Sequence, residues 1–259
     1  MSHTSGTGVH FEDFEPLVFA NNVTECIHKF KNKPLAFLSG SSYSYSNYGY
    51  QLLGAVIEAV TQKPYNVVLD EFVHKLGLNS TIVETMESPL ILDRARYYRP
   101  LNKTAFRVNV PSPVFDELFA AEAMWSDGNV QSNIPELLAY GQLLIDASRG
   151  MPDAILSHKT SKLMWMPHTG GVVDFDKKTP VNYGYGWRIW SESFPEKLPF
   201  NITHPRYVSH SGGAMGLITW MNVYPEEEIV AVVLTNKGWV GGQNELLAYA
   251  VETLGHFLV

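Results

Sequence analysis

The sequence predicts an α+β fold: a helical region, then an antiparallel sheet, then a last helix folded back on that sheet. Three observations carry this. Apolar residues recur with a 3.6-residue period in several segments of the first two thirds of the chain. From about residue 180 the pattern changes to alternating or continuous apolar runs of strand length. The end returns to helical spacing, with Leu246, Leu247, Ala250, Val251 and Leu254 on one stripe.

The elements follow in order. Residues 1–36 read as irregular, apart from a short amphipathic piece from Val23 to Phe30 that Lys33-Pro34 ends, because proline disfavours helix in the residue before it. Residues 37–165 form the mainly helical region. Its first helix follows Ser44-Tyr45-Ser46-Asn47 and carries Leu52, Leu53, Val56, Ile57 and Val60 on one face before Lys63-Pro64. A second carries Val68, Leu69, Phe72, Val73 and Leu76, with Gly77 placed for a left-handed cap. These two are expected to pair as a hairpin through their apolar stripes. Between Asn79 and Asn129, four prolines break any long element. Asn133-Ile134-Pro135 starts a clear helix that Gly150 ends, and a shorter one is expected from Ala154 to Met164. Residues 180–259 form the sheet and closing helix. Strands are expected at Tyr183–Trp190, Tyr207–Ser211, Leu217–Tyr224 and Ile229–Asn236, with Pro225-Glu226-Glu227 as a hairpin connection. Ile229–Leu234 is apolar on both faces and reads as a central, doubly covered strand.

Composition narrows the function. The 259 residues are 45% hydrophobic and 17% charged, with a net charge of −7, which suits one globular domain and argues against a nucleic-acid partner. No apolar run is long enough to span a membrane, and the first ten residues have no secretory pattern. The single cysteine, Cys26, supports no disulfide framework. Sequons at Asn22, Asn79, Asn102 and Asn201 point to a secreted or lumenal parent protein.

Two stretches hold candidate chemistry. In the first, Tyr45 and Asn47 lie two apart at a helix start. Either Ser46 or Asn47 simply caps the helix, or a phenol and a carboxamide face one cleft. In the second, Val208-Ser209-His210-Ser211-Gly212-Gly213-Ala214-Met215-Gly216, the glycines either shape a tight turn or let a substrate lie against backbone N–H groups that stabilise an oxyanion. His210 is expected to exchange a proton near neutral pH. No H-E-x-x-H, G-x-S-x-G or strand–helix dinucleotide loop occurs, so neither a metal nor any other cofactor is expected.

Four segments, in order and at matching spacing, resemble those of class C β-lactamases and their penicillin-binding relatives. Ser2-His3-Thr4-Ser5-Gly6 resembles an H-T-S-G segment. Tyr45-Ser46-Asn47 resembles the Tyr-x-Asn motif. Lys75-Leu76-Gly77-Leu78-Asn79-Ser80-Thr81 resembles P-L-G-M-x-x-T, and His210-Ser211-Gly212 the Lys-Thr-Gly motif in its His-x-Gly form. The resemblance implies a β-lactamase/transpeptidase-like fold over 1–259 and acyl-enzyme chemistry on an amide or ester of a small molecule or peptide. Tyr45 would relay protons, Asn47 would orient the substrate amide, and His210 would stand at the third motif. Ser211 and Gly212 would line the substrate, and the Gly213 N–H would serve the oxyanion hole.

The family's nucleophile lies in S-x-x-K, and no lysine of this chain has serine three positions before it. Ser2, Ser46 and Ser211 have no adjacent lysine base. The domain is therefore expected to be incomplete on its N-terminal side, inactive as given, and prone to associate through an uncovered strand edge. A non-catalytic binding or scaffolding relative is the alternative, and an unrelated interaction domain a third.

Overall fold

The computed structural model describes residues 1–7, 20, 22–83, 94–100, 109–111, 125–128, 130–190, 206–214 and 216–237. It divides into two compact units, one of Met1–Pro89, Glu117–Ser132 and Met166–Gly186, the other of Leu90–Asp116, Asn133–Trp165 and Trp187–Val259.

In the first unit, Asn22 caps the short α1 (Val23–Cys26) by accepting from the Glu25 N–H, and a 3-10 turn, Ile27–Lys29, follows. Helix α2 (Asn47–Thr61) starts where the Ser46 side chain accepts from the Gly49 N–H, and it stops at Gln62, whose φ of 56° leaves the helical basin. The proline after Lys63 makes the stop sharp. Helix α3 (Tyr65–Lys75) runs on from Pro64, and Lys63 pairs with Glu71 across the joint at 2.6 Å. Strand β1 (Ile82–Val83) pairs with β4 (Val130–Gln131). The core of this unit is Ala20, Val23, Cys26, Ala55 and Trp125, the last opening the short α4 (Trp125–Gly128).

The apolar stripe expected to bury α2 does not do so. The helix buries Gln51, Gly54 and Ala55, while Val56 is 51% and Val60 78% exposed. Close approach decides this. A Cβ on Gly54 would stand 2.3 Å from Ser126 Oγ and 2.8 Å from a Val23 methyl, so α2 is seated on its smallest face, where dispersion contacts are densest.

In the second unit, β2 (Tyr98–Pro100) pairs with β3 (Asn109–Pro111). The main sheet is antiparallel in the order β5 (Arg188–Trp190), β6 (Tyr207–Ala214), β7 (Leu217–Tyr224), β8 (Ile229–Thr235). Helix α5 (Ile134–Arg149) has Asn133 as N-cap, proline in its first turn and a left-handed Gly150 at its end, as its local chemistry predicts. Helix α6 (His158–Met164) is shorter than expected because Ser157 caps it late. It is tied to α5 by Ser161 Oγ donating to the Ala147 carbonyl at 3.0 Å. Leu144, Ile145, Trp165, Trp187, Ile189, Val208 and Val223 form the core between these helices and the sheet.

Two strand expectations change. The run from Tyr183 is a strand only from Arg188, because Gly186 turns the chain at φ 80°. Strand β8, read as central, has β7 as its one sheet neighbour among the described residues and is half-buried throughout. The closing helix expected over residues 246–254 lies outside the described residues.

Candidate active site

Tyr45 and Asn47 flank a residue that fixes the whole turn. Ser46 accepts the Gly49 N–H at 3.1 Å through its hydroxyl, and the same hydroxyl donates to the Thr7 carbonyl. Its backbone N–H donates to Nδ1 of His3 at 3.0 Å. Capping is therefore done by Ser46, and Asn47, the first residue of α2, is not consumed by it. Tyr45 is 40% exposed, and its ring lies over the His3 imidazole at 4.1 Å between centroids.

The same imidazole is ringed by Tyr183 at 4.9 Å, Tyr50 at 5.0 Å and Tyr43 at 5.8 Å. Tyr50 donates to the Met1 carbonyl at 2.9 Å. Burial, reinforced by the neighbouring Tyr45 phenol, pushes its own phenol up to about 12, against an opposing hydrogen bond from Tyr183. It stays a neutral donor across the physiological range. At the next position, buried Gln51 donates to the Asp127 carboxylate at 3.3 Å. The aromatic surround of His3 and Tyr45 has no signature in the sequence beyond the H-T-S-G resemblance, to which no chemical role attaches.

In the second unit, His210, Ser211, Gly212 and Gly213 are all in β6, opposite Met221, Trp220, Thr219 and Ile218 of β7. The tight-turn reading of these glycines is thus replaced. The strand runs on to Ala214, and the chain reverses at Gly216, φ 104°. Gly212 is required by contact, since a Cβ there would stand 2.5 Å from Thr219 Oγ1. Gly213 has open space where a side chain would be and is exposed. Strand β5 pairs with β6 only as far as Ser209. Beyond it, the alternate N–H groups of β6 that point away from β7 face no strand among the described residues.

Alternation puts His210 on the same face as core residue Val208, and Ser211 on the other. His210 is half-buried. Its pKa is pushed down to about 4, first by burial and then by the Arg188 guanidinium, with a hydrogen bond to the Ser211 backbone opposing. The expectation of a proton exchanged near pH 7 is corrected accordingly: desolvation holds this imidazole neutral.

A separate cavity of about 440 Å³ lies at the other end of β6, between Arg149, Lys162, Trp165, Tyr207 and Glu226, and none of the motif residues lines it. Among the described residues no helix is long and apolar enough to cross a membrane.

The Beta-lactamase family model matches residues 1–252, and the chain belongs to that family. It is 30% identical over 228 residues to the bovine (Bos taurus) serine beta-lactamase-like protein LACTB, mitochondrial, covering 85% of this chain and 38% of that protein. It is 25% identical over 247 residues to a penicillin-binding protein of Bacillus subtilis, covering 92% of this chain and 50% of that one. The chain thus spans half or less of the length of these curated relatives.

The fold is that of a penicillin-binding protein from Bacillus halodurans (TM-score 0.72, 19% identity, all of this chain and 70% of that one). It is also that of the D-amino acid amidase of Ochrobactrum anthropi (TM-score 0.73, 22% identity, all of this chain and 70% of that one). The chain is thus a member of the β-lactamase-related family, with the β-lactamase/transpeptidase-like fold.

Proposed function

We propose that this chain carries the Tyr-x-Asn and third-motif components of an acyl-transfer site for an amide or ester carbonyl, and that as given it does not form an acyl-enzyme. The observation that carries the reading is the capped turn at α2. Ser46 takes over the capping, so Asn47 is left at the helix start and Tyr45 presents a half-exposed phenol from a rigid base. Where a serine hydroxyl is supplied to this site, the Tyr45 oxygen would take its proton as it attacks the carbonyl and pass it to the leaving group. Asn47 orients the amide of the substrate. Gly213 offers its N–H to the carbonyl oxygen as negative charge develops there. His210, neutral, contributes a hydrogen bond rather than a charge.

The nucleophile is the missing part. None of the 259 residues stands in S-x-x-K, and this favours a second reading, a non-catalytic relative that keeps the cleft for binding. A D-amino acid amide, the substrate class named for one structural neighbour, is the ligand to try first.

The test is incubation of the 259-residue chain with a fluorophosphonate or fluorescent penicillin, alongside calorimetric titration with D-phenylalanine amide. The expected result is no covalent label and measurable binding that Y45F and N47A weaken. A covalent adduct would overturn the absence of a nucleophile. Neither label nor binding would leave scaffolding as the function.

A further inference from the structure

We propose that His3 is a positioning residue for Tyr45, holding the phenol in place with its imidazole locked as the Nε2–H tautomer. This rests on the reading of Tyr45 as the proton-relaying group. The grip is bilateral. The Ser44 N–H donates to the His3 carbonyl at 3.0 Å, and the Ser46 N–H donates to His3 Nδ1 at 3.0 Å. Both residues adjoining Tyr45 in sequence are therefore fastened to the same histidine. The ring of that histidine then lies against the Tyr45 ring at 4.1 Å, tilted by 31°.

A backbone N–H can only donate, so Nδ1 must offer its lone pair and the ring proton sits on Nε2. The surround is specific to the ring. His3 is 5% exposed, and among the described residues its ring meets the phenols of Tyr43, Tyr45, Tyr50 and Tyr183. The backbone is held to this purpose against its own preference. His3 has φ 57°, a left-handed conformation that costs energy in a residue with a Cβ and is kept only where the surroundings over-determine it. They do so here through the bonds to Ser44 and Ser46 and, next along the segment, through the Gly40 N–H to the Thr4 carbonyl and the Ala36 N–H to the Gly6 carbonyl, both at 2.8 Å. A histidine used only to fill space has no need of that conformation, nor of bonds on both sides of one tyrosine.

The test separates the acceptor from the ring in the full 259-residue chain. H3N retains an acceptor for the Ser46 N–H but no ring, and H3F retains a ring but no acceptor. Histidine ¹⁵N spectra of the unsubstituted chain read the tautomer, and ¹³C-tyrosine spectra, assigned with Y45F, read the Tyr45 ring. The expected result is an unprotonated Nδ1, Tyr45 ring signals that lose their ring-current displacement in H3N, and free averaging of the Tyr45 ring in both variants.

A protonated Nδ1 would overturn the proposal even if neither variant folds. So would Tyr45 signals in H3N that match the unsubstituted chain, because His3 would then be a backbone clamp alone. Failure of acyl probes or amides to bind bears on the acyl-transfer reading and leaves these spectra unchanged.

Discussion

The Ser46 backbone N–H donates to Nδ1 of His3 at 3.0 Å, across 43 positions of sequence. The side chain of the same serine caps α2 and reaches the Thr7 carbonyl. One residue therefore joins the start of the chain, the tyrosine turn and the helix that follows.

The two functions of Ser46 are separable. S46A removes the cap and the bond to Thr7 but keeps the N–H that holds His3. The expected loss is about 1–2 kcal/mol of stability, the cost of an N-cap removed, read by urea denaturation. The His3 tautomer should not change. A variant as stable as the parent would show that the cap contributes nothing here.

The seating of α2 on Gly54 makes an asymmetric prediction. Glycine to alanine inside a helix is worth about 1 kcal/mol in favour of alanine by propensity. At Gly54 the new methyl would collide with Ser126 and Val23, and overpacking of this kind costs about 1–3 kcal/mol. G54A is therefore expected to be destabilised. V60K, at a position 78% exposed, is expected to lie within about 0.5 kcal/mol of the parent. Thermal melts of the two variants check both, and the opposite order would mean that the apolar stripe, not Gly54, faces the core.

The two glycines of β6 should also differ. At Gly212 a Cβ would stand 2.5 Å from Thr219 Oγ1, whereas at Gly213 it meets nothing within 4 Å. G212A is expected to lose about 1–3 kcal/mol and to recover part of it in the G212A/T219A double variant. G213A should fold as well as the parent. Denaturant midpoints measured side by side decide it, and equal losses at both positions would contradict the β6–β7 register.

His210 links stability to pH. Its folded pKa of about 4 lies below the ordinary histidine value of 6.5, so the unfolded chain binds the proton more readily. The stabilisation is complete above pH 6.5 and is lost progressively as pH falls from 6.5 toward 4. Its size is at most about 3 kcal/mol. H210Q should flatten that part of the stability profile and leave pH 7 to 9 unaffected. In any form of the site that turns over, His210 should add no inflection above pH 6. A stability profile of H210Q parallel to the parent between pH 4 and 6.5 would show that His210 is not buried neutral.

Much of the architecture is readable from residues close together in sequence. Asn133, Pro135 and Gly150 bound α5, and Pro225–Glu228 joins β7 to β8, because caps and turns depend on neighbours within a few positions. The apolar pattern of α2 misleads as to its buried face, since that face is chosen by Val23 and Ser126, which lie far off in sequence. The glycines of β6 read equally as a turn, because their pairing with Thr219 and Ile218 is set by register and not by composition.

The sequence by itself determined the family and marked helices α2, α3 and α5, strands β6 to β8, and the Tyr45–Asn47 and His210–Gly213 stretches, whose signals are local. Only the tertiary structure decided that Ser46 rather than Asn47 caps the helix, that His210 is held neutral by burial, and that His3 grips both sides of Tyr45. The physical reason is the same in each case. Hydrogen-bond choice, desolvation and ring packing depend on which distant groups the fold brings within a few ångströms, and a one-dimensional pattern does not specify those distances.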